Sequence, residues 1–232
     1  MGRFDRRIGR LFDGCSTSSS RLRENNLPVP TTFPMPSMSR PFDDCREGER
    51  VYLRPPERSD EARVLELRRA SWGELSPWEP TPEPGQDPLS SAWFREYLDR
   101  SRLSSNATFL LCQRIDDQPI GHLGLGVITK GRLMSAYAGY WIATAFGGQG
   151  LMTEGLECLV DVAFREIGLH RVEANIRPEN ARSIRLVSRL GFSKEGFSPR
   201  YLHIDGDWRD HERWALLEDD WRARRLAAST PD

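Results

Sequence analysis

The chain has 232 residues, 38% of them hydrophobic, which is enough for one well-buried domain with an appendage. With 33 basic against 34 acidic side chains the net charge is −1, so no global field directs it to nucleic acid or to an anionic membrane. No apolar run approaches the roughly 20 residues that span a bilayer, and no apolar h-region follows the charged N-terminus. The four cysteines, Cys15, Cys45, Cys112 and Cys158, form no CxxC pair, which points to a reducing cytoplasm with no metal site and no disulfide framework.

Residues 1–48 contain CSTSSS and LPVPTTFPMPSMSRP, too few periodic apolar positions to offset ordering entropy, and read as a disordered tail. Met35 and Met38 within it are candidates for a later start. A domain over 49–226 follows, with 227–232 as a short C-terminal tail. It opens with a strand at 51–54 and a charged helix around 58–70. The segment SWGELSPWEPTPEPG is too broken by proline for a regular element and is expected as a loop whose tryptophans pack back or wall a substrate. A helix near 89–102 turns Trp93, Phe94, Tyr97 and Leu98 to one side. Three strands, 108–114, 119–128 and 135–143, come next, the first two joined at DDQP.

AFGGQG then precedes an apolar stripe at Leu156, Leu159, Val160, Ala163, Phe164 and Ile167, the spacing of one helical face. The opening amides of that helix have no partner within it, its dipole favours an anion, and Gly148 and Gly150 let a ligand approach the backbone. A phosphate cradle and a plain tight turn both use such glycines. A strand at 171–176, a helix from Glu179 to a C-terminal Gly191, two strands around DGD and a terminal helix complete the order β-α-α-β-β-β-α-β-α-β-β-α. The expected fold is α/β, a mixed, mostly antiparallel sheet with flanking helices. No GK[ST] follows the glycines, and the turn follows antiparallel strands, so neither a Walker loop nor a dinucleotide fold fits.

The element order, GYWIATAFGGQGLMTEGL and HRVEANIRPENARSIRLVSRLGF together resemble the GNAT superfamily of acetyl-CoA-dependent N-acetyltransferases over residues 50–221. LSPWEP, RLGFSKEG and YLHIDGDWRDH look like its RimJ/RimL group, which acetylates the N-termini of ribosomal proteins. The resemblance implies that Gly147, Gly148, Gln149, Gly150, Leu151 and Met152 cradle the pyrophosphate of acetyl-CoA. Gly147 replaces the usual Gln or Arg and Met152 the usual small residue, so binding is expected to persist with one hydrogen bond fewer, about 1 kcal/mol. It further implies that Ile142 pairs its main chain with the pantetheine arm, that Asn180 contacts the pantetheine, and that Ser183 lies near the sulphur, where it could protonate the thiolate. By spacing alone, Asn180 reads as a helix N-cap with Ser183 incidental.

Direct attack by an amine needs a proton acceptor, donors for the oxyanion and a proton for the thiolate. Glu79, beside tryptophans, is a candidate base with a raised pKa or a solvated loop acid. Tyr201 is a candidate acid or substrate contact. Asp210 and His211, adjacent on a strand, face opposite ways and read as structural. Glu154 reads as compensating the helix dipole, and His122 and His170 as core or solvent histidines. The expected activity is acetyl transfer to the α-amine of a protein N-terminus, with the ribosome or a ribosomal protein as partner. The alternatives are a small amine acceptor, such as an antibiotic or polyamine, and a non-catalytic coenzyme A-binding module.

Overall fold

The computed structural model describes residues 46–229; the stretch read as a tail up to Cys45, with Met35 and Met38, lies outside the described residues. An eight-stranded sheet runs β1-β2-β3-β4-β5-β6-β8-β7. Its strands are β1 (Arg46–Glu47), β2 (Val51–Arg54), β3 (Ala107–Gln113), β4 (Pro119–Thr129), β5 (Ser135–Ile142), β6 (Arg171–Ile176), β7 (Ser193–Ile204) and β8 (Asp207–Leu217). Every neighbouring pair is antiparallel except β5 and β6, so the sheet is mixed and mostly antiparallel, as the element order implied. β1 falls inside the stretch read as tail, because two residues are too few to show a strand's alternation.

The helices are α1 (Glu61–Leu75), α2 (Ser91–Ser101), α3 (Leu151–Asp161), α4 (Ala181–Leu190) and α5 (Glu218–Ser229). α3 buries Leu156, Leu159 and Val160 against Val51, Leu53, Leu111 and Leu123 on one face of the sheet. On the opposite face α1 and α2 bring Val64, Leu65, Phe94 and Leu98 onto Leu110 and Cys112. Helices thus cover both faces, and the alternation of β6, with Val172, Ala174 and Ile176 buried, follows from having one face against this core.

Two helices differ from the expectation. α1 continues through Ser71 and Trp72 to Leu75 rather than stopping near Ala70, since Pro77 first disfavours helix at Ser76 and the chain there tightens into a 3₁₀ turn. The stripe read as one long helix from Leu156 is α-helical only to Asp161, then a π turn over Val162–Glu166 closes with Ile167 N–H donating to Val162 O at 3.0 Å. At the hairpin tip of β7 and β8, Asp205 and Gly206 both take positive φ, 52° and 75°, the two-residue turn that DGD signalled. No helix among the described residues is long and apolar enough to cross a membrane.

Candidate functional site

The sheet parts at the parallel pair of β5 and β6. The ladder between β5 and β6 runs through Ser135↔Arg171, Ala136↔Val172 and Tyr137↔Glu173, and no further. Beyond Tyr137 the strands diverge, and a cleft of ≈ 1060 Å³ opens along Gly139 to Ile142. The glycine turn stands at one end of this cleft and α4 along one wall.

At the turn, Gly148 and Gly150 adopt φ of 76° and 81°, a backbone region closed to most residues, and Gly150 is the N-cap of α3. No side chain caps that helix, so its opening amides are left for a ligand. The open space around Gly148, with nothing within 4 Å of where a Cβ would stand, fits a backbone cradle for phosphate. Gln149 turns its side chain back to Ala145 O at 3.2 Å, while its own carbonyl accepts from Arg50 Nη1 at 3.0 Å. Leu151 is buried in the core; Gly147, Gly148, Gly150, Leu151 and Met152 line the cleft. Glu154 does more than compensate a dipole. Its carboxylate accepts from the Arg50 and Val51 amides at 2.5 and 3.2 Å and from Arg50 Nε at 3.0 Å, tying the first turn of α3 to β2.

Asn180 is the N-cap of α4, with Oδ1 accepting from Ser183 N–H at 3.1 Å. The cap uses the oxygen alone, which leaves Nδ2 as the donor Asn180 can offer to the cleft that it lines together with Ser183. Across from Ser183 on β5 stands the Tyr140 hydroxyl, buried and without a well-formed hydrogen bond. Burial pushes this phenol up to about 12, with Ser183 partly offsetting the push. The Tyr140 hydroxyl thus faces Ser183 in the cleft with its hydrogen-bonding capacity not fully used.

The far wall is the proline-rich loop between α1 and α2. Here Glu79 is not the free carboxylate beside apolar rings that was expected. Both its oxygens are taken by Arg68, at 2.8 and 2.7 Å, which disfavours it as the proton acceptor. Trp78, Trp93 and Trp141 line the cleft. Tyr201 is 41% exposed on β7, accepts from Asn175 Nδ2 at 3.2 Å, and is not part of the cleft lining. Asp210 accepts from Arg200 N–H at 2.7 Å, and the buried His211 shares Nδ1 with Arg209 O at 3.0 Å, so these neighbours bond separately. His122 sits in the cleft floor with Nδ1 3.0 Å from both Tyr97 Oη and Phe109 O. A carbonyl can only accept, which places the proton on Nδ1 and leaves Nε2 an acceptor. Burial pushes the imidazolium down to about 4, partly offset by the Phe109 carbonyl, so the ring is neutral near pH 7.

Sequence reasoning missed Arg68, the Tyr140 hydroxyl and the Tyr97–His122 pair. Only Arg68 left a signal: it falls on the stripe of Val64, Leu65 and Ser71, where a charge must find partners.

A family model described as an acetyltransferase (GNAT) domain matches residues 50–193. The [ribosomal protein uS5]-alanine N-acetyltransferase of Escherichia coli is 35% identical over 154 residues, 65% of this chain and 79% of that one. The probable N-acetyltransferase YjcK of Bacillus subtilis is 38% identical over 125 residues, 54% of this chain and 69% of its own. Among solved structures, Mycobacterium smegmatis RimJ in complex with CoA-disulfide superposes with a TM-score of 0.74 at 32% identity, covering 82% of this chain and 96% of that one.

Proposed function

Because the chain belongs to the GNAT acetyltransferase family and, within it, to the RimJ/RimL-like group, it is an acyltransferase, and we propose that it acetylates the N-terminal α-amine of a protein, a ribosomal protein in the first instance. The observation that carries this reading is the divergence of β5 from β6 between the glycine turn and Ser183. It leaves an edge of main chain long enough for an extended thioester-bearing arm, with an anion cradle at one end and a hydroxyl pair at the other.

Acetyl-CoA would supply an acetyl group activated as a thioester. The residues present fit it. The amides of Gly148, Gly150 and Leu151 offer donors to a pyrophosphate, with Gly147, Gln149 and Met152 shaping the turn. The β5 edge up to Ile142 orients the arm, and Asn180 Nδ2 donates to it. At the reacting end Ser183 Oγ holds the proton that a departing thiolate needs, with the Tyr140 hydroxyl behind it. The tryptophans and the Arg68–Glu79 pair exclude water from the acceptor side. An α-amine has a pKa near 8, so about a tenth is free base at pH 7 and a weak acceptor such as His122 Nε2, or water, suffices to take its proton. The named activity of the Escherichia coli relative on alanine of uS5 supports the α-amine as acceptor. Of the four acids that line the cleft, Glu74, Glu79 and Glu96 are each paired with an arginine, which leaves Glu83 as the acid that a polyamine would meet without an ion pair among the described residues.

The test is release of free thiol from acetyl-CoA with a pool of peptides, Ala- and Ser-ended ones included, beside the same peptides with blocked α-amines, polyamines and aminoglycosides. Turnover confined to the free α-amines is the expected result. Turnover on the small amines alone would transfer the assignment to them, and coenzyme A binding without turnover on any acceptor would favour a non-catalytic module.

A further inference from the structure

Five prolines, Pro77, Pro80, Pro82, Pro84 and Pro88, interrupt the loop that walls the acceptor side. Each lacks an N–H, so the loop cannot hold itself with a backbone ladder, and its carbonyls must find donors elsewhere. Arginines supply them: Arg177 Nη1 donates to Pro77 O at 2.7 Å, Arg69 Nη2 to Leu89 O at 2.8 Å and Arg68 Nε to Pro88 O at 3.3 Å.

Arg68 differs from the other two in depth and reach. Its side chain is 1% exposed. While Nε holds Pro88, Nη1 and Nη2 grip Glu79, so one guanidinium closes both ends of the segment that lines the cleft. Its Cζ lies 4.1 Å from the Trp93 ring centre, 5.3 Å from that of Trp72 and 5.6 Å from that of Trp141. Trp141 precedes Ile142 on β5, the strand edge at which transfer takes place. The planar fork with five donors can fix several directions at once, whereas an apolar side chain would fill the volume without the desolvation cost of a buried charge. Packing alone therefore gives no reason for a cation at this position.

We propose that Arg68 is a positioning residue for the amine acceptor: its guanidinium, caged by three tryptophans and paired with Glu79, sets the acceptor loop in register with the β5 edge. In this arrangement Glu79 is the anchor of the loop and not the proton acceptor. The proposal rests on the acyl-transfer reading but on no particular acceptor.

The test uses the full chain, acetyl-CoA and whichever amine the parent turns over fastest. Arg68→Met and Glu79→Gln should each raise the acceptor KM about tenfold, with the acetyl-CoA KM within about twofold and the shape of the kcat–pH profile unchanged. Their combination should cost little more than either alone, since the two act as a unit. Arg68→Met leaves Glu79 without its partner and could fail to fold, so Arg68→Met/Glu79→Met, which removes both charges, is the companion. A melting temperature restored in that double variant with the acceptor KM still high supports positioning. If the acceptor KM returns to the parent's along with the melting temperature, the pair is merely structural and the proposal falls. It also falls if Glu79→Gln lowers kcat, removes the acidic limb and leaves the acceptor KM unchanged, which would make Glu79 the base. Hydrogen exchange gives a readout independent of any acceptor: the Thr81 amide, bonded to His203 O at 2.9 Å, should lose protection in Arg68→Met. Unchanged protection there overturns the proposal even if no acceptor is ever found.

Discussion

At the scale of single residues, the proposed mechanism turns on the proton for the thiolate, which it assigns to the Ser183 hydroxyl with that of Tyr140 behind it. Ser183→Ala is expected to lower kcat roughly 100-fold while the acetyl-CoA KM moves by less than about threefold, because a positioned acid acts in the transition state and adds little to binding. An acetyl donor with a more acidic thiol should narrow that gap, since a better leaving group needs the proton less; an equal gap for both donors would remove Ser183 from the role. Tyr140→Phe should also lower kcat yet leave thermal stability unchanged or slightly higher, because the buried phenol gains no well-formed hydrogen bond to repay its desolvation. Legibility at this scale was uneven for physical reasons. Asn180 and Ser183 were picked out by the family resemblance, since a spacing of three on one turn reads by itself as a cap, and the structure has Asn180 capping the helix with its oxygen alone. The Tyr140 hydroxyl was not visible, since alternation tells which face a strand residue takes but not where two strands part. The pairing of Glu79 with Arg68 was not legible, because the partner lies 11 residues earlier on a helix and no local rule joins them.

Among the elements, the glycine turn and α3 form the part that, on the proposed reading, approaches the pyrophosphate most closely. Gly150 has φ 81° and ψ −4°, where a Cβ costs roughly 1–2 kcal/mol, and the added atom would stand 3.3 Å from Arg50 Nη2. Gly150→Ala should therefore raise the acetyl-CoA KM by at least about tenfold with little change in the acceptor KM, read by initial rates with each substrate varied in turn. An unchanged acetyl-CoA KM would mean that the turn does not hold the pyrophosphate. The strands at Val51–Arg54 and Arg171–Ile176 were legible to the residue because turn signals and alternation bracket them. The π turn after Asp161 was not: an added residue in one turn changes the bonding without breaking the apolar stripe, which continues through Phe164 to Ile167. The overrun of α1 to Leu75 was hidden by the composition around it, where Gly73 and the prolines after Ser76 suggested a break earlier than the first proline enforces.

For the molecule as a whole, the order of strands makes one seam weaker than the rest. β1 to β5 form one antiparallel run and β6, β8 and β7 another, and the two are joined in the sheet by the short parallel ladder from Ser135↔Arg171 to Tyr137↔Glu173. α3 and α4, each packed on the common core, complete the join. A ligand lying along the β5 edge while touching Asn180 and Ser183 would bridge the seam and stabilise both runs together. Linkage gives the size: at 100 times its Kd, a ligand that binds only the folded state contributes about 2.7 kcal/mol. For a domain of this length that corresponds to a rise in Tm of roughly 5–11 °C. Calorimetry with coenzyme A should show such a rise in a single transition, together with slower exchange at the amides of 138–142, and Gly150→Ala should need more ligand for the same rise. A rise in Tm with those amides unchanged would place the ligand off the β5 edge, and an unchanged Tm at saturating concentration would mean that the folded chain does not bind coenzyme A. A transition that split in two, with one half unmoved, would show that the ligand holds only one side of the seam.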